Sequence, residues 1–381
     1  MKKRVEYFDV AKGIGAFLVL LGHLQGPEFF QYSPYIILMC QWIFSFHMVL
    51  FFIISGMLIC YKNDIDKDMR DIAVRRFKGI MIPYYWFSFF YMTVVIVAFI
   101  KKQILVGTVW LNLWYVFSTY GMNVLWFLPA LFFAELLFIF IMKKLDTKKA
   151  VIVISVQAAV GFVIAYVLRQ LTYDTTLKEG AHELAIALVR PFIACAFIAI
   201  GYFGYKLINR VFPQIEKVDK DGNIVRKINV KELIAGIVLM IIGAVFIFIN
   251  TAVDFRSMVF KNVPAYFLCS LTSSFGLILI CKNIKPFKLL KFWGVNSLIF
   301  MAVHGSETVT YYATNIAMWA NQYLTRARGY ICYTITVCVI LTYVGIMIVL
   351  INKFVPFITG KPFKGSFIYN IINRAKGDEA K

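Results

Sequence analysis

The chain has 381 residues, of which 61% are hydrophobic and only 16% are charged. This composition excludes a soluble globular protein, in which the apolar share is nearer to ~45–50%. In a soluble protein the net charge of +20 would suggest a nucleic-acid partner, but in a membrane protein an excess of Lys and Arg marks the cytosolic loops.

Ten segments are long and apolar enough to cross a bilayer. These predicted spans are 8–26, 35–60, 80–100, 123–142, 150–169, 183–205, 232–251, 262–281, 290–313 and 330–352. A shorter amphipathic, Trp-rich piece, 104–117, is predicted to be interfacial or re-entrant. The sequence therefore predicts an all-α integral membrane protein with about ten transmembrane helices.

The distribution of Lys and Arg gives the orientation. With a cytosolic N-terminus, the inside regions hold 31 of these residues and the outside regions hold 8. This asymmetry favours ten spans with both termini cytosolic. We expect one transmembrane domain over 1–355, followed by a short basic cytosolic tail, 356–381. The stretch 218–227 (VDKDGNIVRK) is predicted to be a polar cytosolic hairpin or turn.

Three histidines lie within apolar segments at similar depth. At 1.5 Å per residue, His23, His47 and His304 all fall between the midplane and the outer third of the membrane. Each of them alone is compatible with a helix–helix hydrogen bond, but together they suggest proton chemistry. Glu135 and Arg190 fall nearby in depth, and Glu135 is either a structural ion-pair partner or part of this site.

Basic residues mark the cytosolic end of the first span. Lys12 and His23 are eleven residues apart, which places them on one helix face with a rise of ~16 Å. Asp9 is close enough along the helix to pair with Lys12. The stretch 75–83 (RRFKGIMIP) either anchors the chain to lipid phosphates or forms a cradle for a phosphate-bearing cofactor. No metal is expected, because the sequence has neither a CxxC pair nor an HExxH motif.

Four stretches carry a resemblance to a known family. They are YFDVAKGIGAFLVLLGH at 7–23, FSFHMVLFFIISG at 44–56, WFLPALF at 126–132 and FWGVNSLIFMAVHG at 292–305. The chain resembles the integral-membrane acyltransferase 3 family, and within it the fucose 4-O-acetylase-like branch. Lys12 stands where many members have arginine, and Lys78 replaces the second arginine of the family's basic motif.

The resemblance implies ten spans in a bacterial cytoplasmic (inner) membrane. It also implies transfer of an acyl group, commonly acetyl, from cytosolic acyl-CoA to a hydroxyl of an envelope glycan or other exported acceptor. Expected partners are the lipid bilayer, acyl-CoA (acetyl-CoA first), a glycan or lipid-linked sugar acceptor, and envelope-biosynthesis proteins, with no nucleic acid.

Two groups of residues are candidates for this reaction, with His23 as the general base. Those expected to act at the reacting groups are His23, His47, His304 and Glu135. Those expected to bind the acyl-CoA phosphates are Lys12, Arg75, Arg76 and Lys78. The alternative is a proton-coupled secondary transporter of a small polar metabolite, in which the histidines and Glu135 relay protons. A third possibility is a non-catalytic envelope assembly factor.

Overall fold

The computed structural model describes residues 5–24, 34–171, 176–213, 216–218, 224–226, 228–249, 253–285, 287–305, 307–321 and 328–361. The α-helices are α1 Glu6–His23, α2 Pro34–Lys62, α3 Met69–Arg76, α4 Ile82–Ile100, α5 Val106–Phe117, α6 Phe127–Lys144, α7 Thr147–Gln170, α8 Thr176–Val211, α9 Val230–Val245, α10 Val263–Asn283, α11 Lys288–Val295, α12 Ser297–His304, α13 Glu307–Asn321 and α14 Arg328–Phe354. A π-helical turn, Phe77–Met81, joins α3 to α4. Short 3₁₀ turns are Asp64–Asp66, Asn123–Trp126, Phe246–Phe248 and Pro356–Thr359.

The described residues contain eight helices long and apolar enough to cross a membrane. They are Tyr35–Lys62, Met69–Ile100, Asn123–Lys144, Thr147–Gln170, Leu177–Val211, Val230–Phe248, Val263–Asn283 and Tyr330–Phe354. Each overlaps one of the ten predicted spans, so the prediction of an all-α membrane protein is confirmed. The number of spans and the cytosolic placement of the termini stay predictions.

The other two predicted spans differ from ordinary transmembrane helices. The first is α1, an 18-residue helix with Glu6, Asp9 and Lys12 in its first two turns. The predicted ninth span, 290–313, is divided among α11, α12 and α13. The first break falls at Asn296, whose side-chain Oδ1 accepts a 2.8 Å hydrogen bond from Asn352 Nδ2 on α14.

Close helix crossings at glycines form the centre of the bundle. A Cβ at Gly56 of α2 would lie 1.9 Å from a carbonyl oxygen of α8, and a Cβ at Gly201 of α8 would lie 2.1 Å from one of α2. A Cβ at Gly294 of α11 would lie 1.6 Å from the carbonyl oxygen of Asp9 on α1. Small residues at such crossings let helix backbones approach closely. The second crossing holds α1 beside α11.

Among the described residues, two antiparallel strand pairs lie between helices. One, β1 Glu216–Val218 with β2 Ile224–Arg226, falls at the predicted hairpin 218–227. The other, β3 Val253–Asp254 with β4 Val259–Phe260, lies between α9 and α10 and contacts α2. With 12 residues, α5 is shorter than the ~20 needed to span a bilayer, in agreement with an interfacial or re-entrant piece. Of the predicted tail 356–381, residues 362–381 lie outside the described part.

Candidate active site

The structure brings the three predicted histidines together. His23 is the last residue of α1, His47 lies within α2, and His304 is the last residue of α12. The ring centroids of His23 and His304 are 5.4 Å apart. The ring of Phe44 lies between the other pair, 5.7 Å from His23 and 5.2 Å from His47. Among the described residues no set of three side chains forms a metal-binding group, and this histidine cluster is no exception.

Backbone carbonyls orient two of the histidines. His47 Nδ1 lies 2.7 Å from the carbonyl oxygen of Ile43, and His304 Nδ1 lies 3.0 Å from that of Phe300. Because a carbonyl oxygen only accepts, we assign the proton of each neutral ring to Nδ1. Both rings are buried, whereas His23 is exposed. His23 is therefore the histidine best placed to meet a ligand.

A cavity of about 220 Å³ opens in front of His23 and His47. Its volume lies below the ~300 Å³ of a typical small-molecule pocket, so it suits the reacting groups rather than a whole acyl-CoA or a long glycan. Its polar wall also includes Asn123, Asp254 and Arg256, and its aromatic wall includes Phe44, Trp126 and Phe255.

Sequence reasoning missed the polar wall, because Asp254 and Arg256 lie in a loop without hydrophobic period and Asn123 is only the first residue of a predicted span. Asn123 precedes α6, and its Nδ2 donates to the carbonyl oxygen of Gly305, 2.5 Å away, just after His304. Asp254 and Arg256 lie in the β3–β4 hairpin, where the Arg256 N–H donates to Asp254 Oδ1 at 2.8 Å. The only available signal was that Arg256 is one of the few basic residues in a predicted outer region.

Arg190 forms hydrogen bonds with two loops that border this cavity. Its side chain is fully buried and donates to the carbonyl oxygen of Tyr120 at 2.7 Å and to that of Arg256 at 2.9 Å. The guanidinium lies 4.5 Å from the ring centroid of Tyr120 and 5.1 Å from that of Trp126, which is cation–π geometry. Arg190 thus joins the loop before α6 to the β3–β4 hairpin and positions the cavity wall.

The basic motif surrounds a buried carboxylate. Asp68 caps α3 by accepting from the N–H groups of Arg70 and Asp71, and the helix then presents its last residues to Asp64. Asp64 Oδ2 lies 2.9 Å from Arg75 and 3.1 Å from Arg76. Lys67 completes the set at 2.5 Å from Oδ1. These four residues, Asp64, Lys67, Arg75 and Arg76, are called the Asp64 cluster below.

Lys78 borders a second cavity beside this cluster. The cavity has a volume of about 410 Å³ and also involves Arg70, Arg75 and Gly360. Lys78 is in the π-helical turn, a feature often found at functional sites. A Cβ at Gly360 would lie 1.8 Å from the Lys78 carbonyl oxygen, so the C-terminal turn lies directly against the basic motif.

Lys12 belongs to the same end of the molecule. Its Nζ lies 3.0 Å from Asp9 Oδ1, which confirms the predicted pairing. The ammonium of Lys62 interacts electrostatically with Arg76, Asp64, Arg75 and Lys12. The four predicted donor-binding residues therefore lie around one end of the helix bundle, and His23 lies at the other end of α1. The predicted topology places the end with the basic residues in the cytosol.

The structure does not bring Glu135 to a histidine. Its Oε1 accepts a hydrogen bond from the Ser55 hydroxyl, and its Oε2 forms an ion pair with Arg76 Nε at 2.8 Å. The predicted role of fixing a histidine tautomer falls instead to the carbonyls of Ile43 and Phe300. The predicted depth of Glu135 was wrong, because its span begins beside the histidine cavity, which Asn123 and Trp126 line. Glu135 comes nine residues after Trp126, ~14 Å further along the helix, and so reaches the basic motif.

The Asp64 cluster predicts a particular pH dependence. Burial alone raises the pKa of Asp64, but the hydrogen bond from Lys67 and the charges of Arg76 and Arg75 outweigh it, so its pKa lies below the ordinary value. The carboxylate therefore contributes stability above the unfolded pKa of ~3.9, and this contribution is lost only as pH falls through the lower folded value. Asp64→Asn should cost about 1–2 kcal/mol, a modest figure because Arg75 and Lys67 are 48% and 42% exposed.

The measurement is the thermal unfolding midpoint of the detergent-solubilised protein at pH 5 and pH 8. We expect Asp64→Asn to lower the unfolding midpoint equally at both pH values. Asp66 is exposed, and Asp66→Asn should leave the midpoint unchanged. A deficit present at pH 8 but absent at pH 5 would contradict a lowered pKa for Asp64.

Comparison with known proteins identifies the class. The family model described as an acyltransferase domain matches residues 5–343, nearly the whole chain. The chain therefore belongs to this integral-membrane acyltransferase 3 family, and it is a multi-pass membrane acyltransferase. No curated protein and no solved structure matches it. The resemblance to the fucose 4-O-acetylase-like branch stays a prediction.

Proposed function

We propose that this protein moves an acyl group, acetyl in the first instance, from cytosolic acyl-CoA to a hydroxyl of an envelope glycan or other exported acceptor. The observation that carries the proposal is the presence of two polar sites at opposite ends of α1. One is the basic site of Lys12, Arg75, Arg76 and Lys78, and the other is the histidine cavity. A donor and an acceptor on opposite sides of a membrane require such a pair of sites.

The basic site suits the phosphates of coenzyme A. Arg75 and Lys78 are exposed beside the 410 Å³ cavity, where their N–H groups are available to an incoming ligand. Arginine forks bind phosphate oxygens in a bidentate manner, and lysine adds a point charge. Asp64 and Glu135 hold Arg76 from two sides, so its guanidinium is oriented before the donor arrives.

The distance between the sites suits a thin, extended donor. The rise from Lys12 to His23 along α1 is ~16 Å, a span that a pantetheine arm is long enough to cover. The histidine cavity of about 220 Å³ has room for the thioester end and one acceptor group. The helices of the bundle would exclude bulk water from this route.

The chemistry assigned to His23 is general base catalysis. His23 takes the proton of the acceptor hydroxyl as its oxygen attacks the thioester carbonyl, forming a C–O bond. Collapse of the tetrahedral intermediate breaks the C–S bond and releases the coenzyme A thiolate, which takes up a proton. A positioned base is worth roughly 10²–10⁴-fold because a hydroxyl is a poor nucleophile at neutral pH. His47 and His304, whose rings are fixed by backbone carbonyls, orient the reacting groups.

The proposed setting is a bacterial cytoplasmic membrane with both termini cytosolic. There the chain works with the bilayer, with a glycan or lipid-linked sugar, and with other envelope-biosynthesis proteins. No metal takes part in the proposed reaction.

The test has a cellular and a purified arm. Mass spectrometry of envelope glycans from cells with and without the gene should reveal an ester that depends on it, giving both acyl mass and position. The purified protein in proteoliposomes should release coenzyme A from acetyl-CoA when that acceptor is present. Uptake driven by a pH gradient, without coenzyme A release, would instead establish the transporter alternative. If the glycans are unchanged and the purified protein shows no turnover, the proposed acyl transfer is overturned.

A further inference from the structure

Arg256 is a cation built into the histidine cavity without a complete set of partners. Its backbone is held on both sides, because its N–H donates to Asp254 Oδ1 and its carbonyl oxygen accepts from Arg190. Its side chain is half-buried and lines the cavity with His23. Among the described residues, no hydrogen-bond partner meets the buried Nε of Arg256.

An unsatisfied buried donor on a charged group is costly, and it persists where a ligand supplies the missing acceptor. A guanidinium presents several N–H groups in a planar fork that matches the oxygens of a carboxylate or a phosphate. The nearest cavity carboxylate, Asp254, accepts the backbone N–H of Arg256. The guanidinium also lies 5.8 Å from the ring centroid of Tyr120 and interacts electrostatically with the Glu183 carboxylate, but neither group gives Nε a hydrogen bond. An acceptor oxygen of a bound ligand would complete the set.

The rest of the wall fits the sugar that would carry this anion. The rings of Trp126 and Phe255 are stacked, with centroids 5.7 Å apart at an interplanar angle of 15°, and both line the cavity. Because the two rings pack against each other and are buried, they contribute apolar ring edges to the wall rather than an open stacking face. Asn123 and Asp254 add polar side chains at its edge. Because Arg256 and His23 line the same cavity, a sugar ring bound there could bring its anionic group to Arg256 and a hydroxyl to His23.

We infer that the acceptor is acidic and that Arg256 binds its carboxylate or phosphate close to the hydroxyl that is acylated. This inference rests on the proposed function and names the acceptor class of the same site. The small cavity restricts recognition to one monosaccharide unit, and that unit carries the charge.

Direct binding tests the inference first. The probes are methyl glucuronide, glucose 6-phosphate and neutral methyl glucoside, titrated calorimetrically into the purified protein. At least one charged probe should bind roughly 10- to 100-fold more tightly than the neutral one, the worth of a charge-assisted hydrogen bond. The two charged probes separate a carboxylate preference from a phosphate preference. Equal binding of all three probes overturns the inference.

Variants connect this preference to Arg256. Arg256→Gln should bring the charged and neutral probes to equal affinity, and Arg256→Lys should retain part of the preference. Lys261→Gln, in the same loop region but on the exposed side, is the matched control and should leave it unchanged. Gel filtration of each variant shows that the fold is retained, and a preference that survives in Arg256→Gln overturns the assignment.

Kinetics distinguish this role from stabilisation of the reaction intermediate. With the native acceptor, Arg256→Gln should raise the acceptor KM and change kcat little. A fall in kcat with an unchanged KM would show that Arg256 stabilises the oxyanion of the tetrahedral intermediate, which would overturn its role in acceptor binding. Absence of coenzyme A release by the wild-type protein with every acceptor would count against the proposed function itself. Retained turnover on neutral sugars, with no preference for acidic ones, would count only against this inference.

Discussion

His23→Ala is expected to lower acyl-CoA-dependent esterification by roughly 10²–10⁴-fold while the protein keeps its fold. The imidazole of His23 is exposed to the cavity, whereas His47 and His304 are buried with Nδ1 against backbone carbonyls. Deleting its ring removes stacking with Phe44 and an edge contact with His304, so the expected effect on the fold is small. The measurement is coenzyme A release with the identified acceptor.

Imidazole in the assay buffer sharpens this experiment. The 220 Å³ cavity, enlarged by the missing ring, has room for a small base, so added imidazole should restore part of the activity of His23→Ala. The control is His182→Ala, a half-buried histidine of α8 in a separate pocket with Arg169. It should turn over like the wild type. Undiminished activity of His23→Ala would require another base, and His304 would be the first candidate.

The sequence predicts most of the fold because the bilayer leaves few choices. A span needs ~20 apolar residues with all backbone groups satisfied internally, so hydropathy locates helices directly. Eight predicted spans coincide with apolar helices for this reason. The break at Asn296 is invisible to a hydropathy window, because it depends on a partner, Asn352, 56 residues further along the chain.

The site was predictable only in part, for a related reason. Depth along each span places His23, His47 and His304 at one level, and helix packing then brings them together. The same argument placed Glu135 with them, but its span begins beside the histidine cavity rather than at the membrane surface, so Glu135 lies further towards the basic motif and contacts Arg76 and Ser55. Arg256 comes from a loop and Asn123 from the first residue of a predicted span, where neither depth nor period identifies a site. Their contribution follows from tertiary contacts made through Arg190 and Gly305.

Glu135→Ala should give the largest loss of stability among the site variants, about 3–5 kcal/mol. Its carboxylate is 3% exposed and its partner Arg76 is 16% exposed, so truncation leaves a largely buried guanidinium with Asp64 alone. The Ser55 hydroxyl also loses its acceptor. The thermal unfolding midpoint of the purified protein measures this loss. A matched variant, Glu135→Gln, keeps the shape and the Ser55 hydrogen bond and should lose less.

Glu135→Gln also separates three roles for this residue. If Glu135 positions Arg76 for the donor, the variant should bind acetyl-CoA about 10-fold more weakly, with kcat nearly unchanged. Because Glu135 and Arg76 contact each other, the double variant with Arg76→Gln should lose less affinity than the sum of the two single losses. A large fall in kcat at saturating donor would instead show that Glu135 acts at the reacting groups. If the variant instead loses proton-driven uptake of a metabolite, Glu135 is a proton relay of the transporter alternative. Its ion pair with Arg76 favours the first outcome, because a carboxylate held by a guanidinium and a hydroxyl is poorly suited to exchange protons with a substrate.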